Sequence, residues 1–142
     1  MYRSKYFNIK ELVDKETYQS TPEWKLWLGF DSRLLILIDF LREEIGVPIT
    51  INDWSWGGSN QWRGLRSPKS PYYSRWSQHS YGRAVDMIFK GIDADTIRLK
   101  IKELMNQGKL KHITTTVTVE EGVSWVHLDV RNNKDGYNSF NP

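Results

Sequence analysis

Residues 83–89, Arg-Ala-Val-Asp-Met-Ile-Phe, have the composition of a buried β-strand, yet a carboxylate stands at the centre of it. Asp86 lies between Val85 and Met87. An ionised carboxylate taken out of water needs a cation or several hydrogen-bond donors. Any fold this chain adopts must therefore serve Asp86. On a strand, Ala84, Asp86 and Ile88 share one face, while Val85 and Met87 share the other. A metal ion is one way to supply the missing charge. The chain has no cysteine, which rules out disulfides and thiolate metal sites. A metal would have to be held by histidine and carboxylate, and the only histidines are His79, His112 and His127.

Two segments bring histidines into play. In Ser77-Gln-His79-Ser-Tyr-Gly82-Arg-Ala84-Val-Asp86, His79 ends a long irregular stretch and Gly82 permits a tight turn into the strand. A chain that turns back in this way can carry His79 to the carboxylate of Asp86. In Trp125-Val-His127-Leu-Asp129-Val-Arg131, alternation puts Val126, Leu128 and Val130 toward a core. Trp125, His127, Asp129 and Arg131 then face the other way. Taken singly, a histidine in a strand is more often structural than a ligand, and Asp86 alone could be a capping or salt-bridged group. Together, His79, Asp86 and His127 form a plausible ligand set for one zinc ion. Two imidazoles and one carboxylate leave a fourth tetrahedral position open, as in catalytic rather than structural zinc sites. His112 has no acidic partner pattern and reads as structural.

The remaining segments suggest one α+β domain spanning residues 1–142. Asn8 and Glu11 form a capping-box pattern at the start of a short helix over 8–18. Pro22 suits the first turn of a second helix containing Trp24 and Trp27. Asp31 or Ser32 caps a third helix, 32–45, whose Leu34, Leu37, Ile38, Leu41 and Ile45 recur at three- and four-residue steps before Gly46. Residues 48–54 read as a strand. Residues 55–78 read as a long loop, and long ordered loops in compact domains tend to be functional. An amphipathic helix is expected over 94–106, stopped by Gly108. Residues 112–119 and 125–131 read as an antiparallel hairpin around Glu120-Glu-Gly122, and 132–142 as an irregular tail. The expected architecture is a mostly antiparallel sheet of about four strands with helices on one face.

Composition narrows the function classes. A hydrophobic fraction of 39% allows a core of modest size. The longest apolar run, Leu34–Ile38, is far short of a membrane span. The N-terminus shows no signal-peptide apolar region, so synthesis and retention in the cytoplasm are expected unless another protein releases the chain. The net charge of +3 is spread along the sequence without a basic cluster, which argues against nucleic-acid binding. Four of the seven tryptophans, Trp54, Trp56, Trp62 and Trp76, fall in or beside the long loop. Beside arginines they suit sugar rings or a peptide, although about half are expected simply to pack the loop onto the sheet.

The two histidine segments together resemble the zinc D-alanyl-D-alanine peptidase family, whose fold is shared with the Hedgehog signalling domain. That family carries S-x-H-x-x-G-x-A-x-D followed by W-x-H on a later strand. Ser77, His79, Gly82, Ala84 and Asp86 match the first part, and Trp125 and His127 the second. Gly64-Leu-Arg66-Ser67 is similar to an upstream G-Y-R-S element. The resemblance runs from about residue 48 to 131 and looks most like small, single-domain members encoded by bacteriophages and their bacterial relatives. It implies one zinc ion held by His79, Asp86 and His127. It also implies peptidoglycan stem peptides as substrate, cleaved as a carboxypeptidase or endopeptidase, with action at the cell wall by a monomer. Arg66 would bind a substrate carboxylate or stabilise the oxyanion. Gln78 and Trp125, beside the ligands, join Arg66 as substrate-binding candidates.

The sequence departs from that pattern at one position. The family places a glutamate or aspartate three residues before the last histidine as general base, and here that residue is Ser124. A hydroxyl does not accept a proton from water at neutral pH as a carboxylate does. Asp129 can take the role, since it shares a face with His127, but it reads equally well as a group orienting His127 or pairing with Arg131. Glu120 or Glu121 can reach in from the hairpin, though both read first as exposed turn residues. The remaining alternative is a zinc-containing peptide-binding module with little turnover.

Overall fold

The computed structural model describes residues 1–142 as four α-helices and a five-stranded sheet. The helices are α1 (Lys15–Ser20), α2 (Glu23–Leu28), α3 (Ser32–Ile45) and α4 (Ala94–Asn106). The strands are β1 (Ile49–Thr50), β2 (Ala84–Phe89), β3 (Thr116–Glu120), β4 (Val126–Asp129) and β5 (Gly136–Phe140). In the sheet they lie in the order β1-β2-β4-β3-β5.

The two long helices begin and end where the sequence signals place them. Asp31 caps α3 by accepting from the Arg33 amide, and Gly46 closes it at φ 78° in the left-handed region. Asp93 caps α4 by accepting from Thr96, at 2.7 Å. The inward stripes of both helices join Val85, Met87, Val117, Val119, Val126, Leu128 and Val130 in one buried cluster. Full burial of each such side chain stabilises the fold by roughly 1.5–3 kcal/mol before entropy is counted.

Four expectations need correction. The helix foreseen over 8–18 is broken. Asn8 and Glu11 do form the capping box, but on a 3-10 turn (Ile9–Glu11), and Asp14 starts α1 afresh by accepting from the Thr17 amide. The break frees the Val13 carbonyl, which accepts from Asn52 Nδ2 (3.2 Å) and Trp54 Nε1 (2.8 Å) and so ties the long loop down. The strand foreseen over 48–54 shortens to Ile49–Thr50. Residues 112–115 are turn and irregular chain rather than strand, and β3 begins at Thr116.

The fourth correction concerns the sheet. The tail is not irregular: Gly136–Phe140 forms β5, which pairs with β3 in parallel. The sheet is therefore mixed, with five strands instead of about four mostly antiparallel ones. Without β5, the outer edge of β3 would present unpaired amides and carbonyls. Gly136, at φ 100°, makes the turn that starts the pairing by donating its amide to the Thr115 carbonyl at 2.8 Å. The short alternating stretch Tyr137-Asn-Ser-Phe140 carries no strong apolar signal, so its pairing partner decides its conformation.

The antiparallel hairpin is as foreseen, and its register sets Thr118 opposite Asp129 and Val119 opposite Leu128. Val126 and Leu128 of β4, with Val130 just beyond it, face the core, and His127 and Asp129 lie on the opposite face. That second face, shielded by the long loop and β5 rather than by helices, carries the candidate site.

Candidate metal centre

Strands β2 and β4 are neighbours, and their register makes Asp86 and His127 direct cross-strand partners. Opposed residues on one face bring their side chains within reach of each other. His79 arrives from outside the sheet on a short 3-10 turn, Gln78–Tyr81. Ser77 caps that turn by accepting from the His79 amide at 3.3 Å, and Gly82 closes it at φ 64°. Gly82 has a second duty. A Cβ there would overlap the Gly29 carbonyl, and the Gly82 carbonyl accepts from the Asp31 amide at 3.0 Å. The glycine thus serves both the turn and the docking of the site onto the start of α3.

The three side chains converge. One oxygen of Asp86, Oδ1, is 2.9 Å from His127 Nδ1 and 3.2 Å from His79 Nε2. One potential ligand atom from each residue lies within 4.8 Å of the others, and all three residues are buried. Their exposures are 2% for His79, 7% for Asp86 and 6% for His127. The group can hold one metal ion. The far nitrogen of each histidine is already engaged. His79 Nδ1 donates to the Gly64 carbonyl at 2.8 Å, which turns Nε2 toward Asp86. His127 Nε2 donates to Asp129 Oδ2 at 2.8 Å. Anchoring the outer nitrogen is how proteins orient imidazole ligands and raise their basicity. A donor set of two imidazoles and a carboxylate, so anchored, fits a divalent ion of borderline softness.

Electrostatics agree with the geometry. Burial alone would raise the pKa of Asp86, but hydrogen bonds and charge interactions with His127 and His79 outweigh it and hold the carboxyl well below its usual range. Burial likewise disfavours the imidazolium of His127. Hydrogen bonds to Asp129 and Asp86 outweigh it and push its pKa up to about 9. The pocket thus holds a positive charge at neutral pH in the metal-free protein, where a cation can replace a proton.

Each of the other expected site residues has a definite place. Arg66 donates from Nη2 to Asp86 Oδ2 at 3.1 Å and from Nε to the Trp62 carbonyl at 2.8 Å. Gln78 and Trp125 line the cleft over the three ligand residues, and the Gln78 side-chain oxygen is buried without a partner. Asp129 is fully buried, with its oxygens taken by His127 and by Arg131, whose Nε donates at 2.8 Å. It sits behind His127, on the side away from Asp86. Ser124 is exposed in the hairpin loop. The two hairpin glutamates point to different places. Glu121 pairs with Arg98 Nε at 3.4 Å and accepts from the Tyr137 hydroxyl, outside the cleft. Glu120 lines the cleft with His79, Asp86 and His127. One further step along the β3–β4 register puts it opposite His127. His112 lies apart, edge-on to Phe40.

The tryptophans divide. Trp54 packs on Tyr18 and is tied to Val13, Trp62 lines the larger cleft, and Trp76, 79% exposed, stands at the rim of the smaller one. Four contributors have no signal in the sequence. The Gly64 carbonyl acts through its backbone. Phe140 closes against His127 with ring centroids 5.6 Å apart, and it depends on β5. Arg63 and Tyr72 enter the cleft only because the loop folds over the sheet. Backbone bonds fix that loop segment: Arg66 N to His79 O at 3.1 Å and Asp86 N to Arg63 O at 2.8 Å.

Fold and site together define an α+β domain with a buried group of two histidines and one carboxylate, able to bind metal, at the floor of an open cleft. No family model matches the chain, and neither a curated protein nor a solved structure matches it.

Proposed function

We propose that the chain is a zinc peptidase that hydrolyses peptide bonds in peptidoglycan stem peptides, with the Hedgehog/D-alanyl-D-alanine peptidase fold. The observation that carries this reading is the convergence of His79, Asp86 and His127 beneath a cleft that also presents Arg66 and Glu120. Zinc bound there would supply Lewis acidity to the scissile carbonyl and to the attacking water.

The chain's own residues do the rest. Asp129 holds the His127 ring in the tautomer that turns Nδ1 toward Asp86. Arg66, fixed by Trp62 and Asp86, keeps Nη1 for a substrate oxygen, where a charge-assisted hydrogen bond is strongest as negative charge develops. Glu120 takes the proton that Ser124 cannot accept. It is the one glutamate or aspartate besides Asp86 that lines the cleft over the ligands. Trp125 and Gln78 wall the cleft around the peptide.

The test has three parts. Metal analysis of the wild type is expected to find one zinc per chain, and His79→Ala, Asp86→Ala and His127→Ala to lose it. The zinc-loaded protein is expected to release new amino termini from purified peptidoglycan. Glu120→Gln is expected to keep its zinc and lose about a hundredfold or more in turnover. Equal zinc content in all four proteins would remove the basis of the reading, and intact peptidoglycan beside a digested control would exclude the activity.

Ser124 favours a second reading, a zinc-containing peptide-binding module with little turnover. If it holds, Ser124→Glu gains hydrolysis by a large factor while Glu120→Gln changes nothing.

A further inference from the structure

Beside the metal centre lies a cleft of about 590 Å³ that shares Arg66, Asp86 and Trp125 with it and extends toward the long loop. Its chemistry is one-sided. The Arg63 guanidinium lines it with no hydrogen bond and no ion pair. The residue is held by its backbone alone, its amide donating to Asn52 Oδ1 and its carbonyl accepting from Asp86. Arg66 brings an unused Nη1, and its guanidinium lies over the Tyr72 ring at 5.8 Å. The indole N–H groups of Trp62 and Trp125 and the Tyr72 hydroxyl have no partner within the protein. Against these donors stands one acid, Asp86, whose oxygens are already committed to the histidines and Arg66. Two further carboxylates lie near the arginines but outside the lining: Asp53, which lies within electrostatic reach of Arg63, accepts from Asn60 at 2.8 and 3.1 Å, and Glu120 stands in the adjoining cleft over the metal centre, within reach of Arg66. Two arginines and several free donors, in a lining whose one acid is already engaged, call for an acceptor-rich, anionic ligand, and the aromatic walls call for one with an apolar body.

We infer that this cleft is a binding subsite for an acidic peptide segment, in which Arg63 selects a residue bearing a free carboxylate a short distance from the bond held over the metal centre. Arg63 is then a specificity-determining residue rather than a catalytic one. The inference rests on the peptide-binding part of the proposed function but not on turnover.

The experiment measures binding of zinc-loaded protein to tetrapeptides carrying a single glutamate. Each position is used in turn, with L or D configuration, against the matched glutamine peptides. For at least one position the wild type is expected to prefer glutamate about tenfold. Arg63→Gln, whose backbone contacts and zinc content stay intact, is expected to reduce that preference to about twofold or less. Where cleavage is seen, the change falls on KM rather than kcat. Three results would overturn the inference: no preference at any position, a preference that survives Arg63→Gln, or no binding of any peptide. Preference without cleavage supports the subsite and counts against the peptidase reading, so the two fail separately.

Discussion

The two faces of the same sheet are built on opposite principles. Toward the helices, Val85, Met87, Val126, Leu128 and Val130 are buried among aliphatic neighbours, and their stabilisation comes from apolar area. Toward the long loop and β5, Asp86, His127 and Asp129 are equally buried but face charges and rings: Arg66, Arg131, His79 and Phe140. A buried ionic group rarely adds to stability over an apolar one, because desolvation consumes the Coulomb gain. The first face holds the fold together. The second is a costly arrangement whose expected return is ligand binding. Adjacent residues on one strand, such as His127 and Leu128, therefore should fail in different ways.

The largest effect is expected on the apolar face. Leu128→Ala should cost about 2–5 kcal/mol of unfolding free energy, read by urea denaturation, while the folded fraction still binds zinc. If metal binding fell with no change in stability, the division between faces would be wrong. Asp86→Asn should do the reverse. The wild type should gain about 2.7 kcal/mol from zinc at a hundred times its dissociation constant, measured as a rise in Tm, and the variant should gain nothing. A smaller effect is expected one layer back. Asp129→Asn keeps the shape but weakens the hold on His127, and zinc affinity should fall about 10- to 100-fold in a chelator competition.

The smallest effect concerns pH. In the metal-free protein His127 has its pKa raised above the ordinary 6.5 to about 9, so its ion pairs stabilise fully below 6.5 and their contribution is lost as pH rises toward 9. Asp86, whose pKa is depressed, contributes above the ordinary carboxylate value of 3.8 and loses that contribution on acidification. Metal must displace the His127 proton. Calorimetry in buffers of different ionisation enthalpy should find about one proton released per zinc at pH 7, vanishing above pH 9. Release that did not change with pH would mean that His127 is not the group displaced.

Much of this was legible in the chain itself. Asp31 and Gly46 mark the ends of α3, since caps act within a few residues of where they stand. The oddity of Asp86 among apolar neighbours and the alternation around His127 point to the right residues, because strand periodicity assigns faces without any knowledge of partners. The broken first helix was not legible. Its decisive interaction, Val13 with Asn52 and Trp54, joins residues about forty positions apart.

The contrast between Glu120 and Glu121 shows where local reading stops. Side by side in sequence, they were equivalent turn residues. One turns into the cleft, and the other is taken by Arg98 of α4 and Tyr137 of β5. The sequence by itself determined which side chains could ligate a metal, because that depends on residue type and local period. Only the tertiary structure decided that β2 and β4 would be neighbours in a register opposing Asp86 to His127, that the Gly64 carbonyl would anchor His79, and that the tail would become β5 and bring Phe140 over the site. Those are pairings between distant segments. They are set by which edges and faces remain to be covered once the core has formed, a property of the whole chain rather than of any stretch of it.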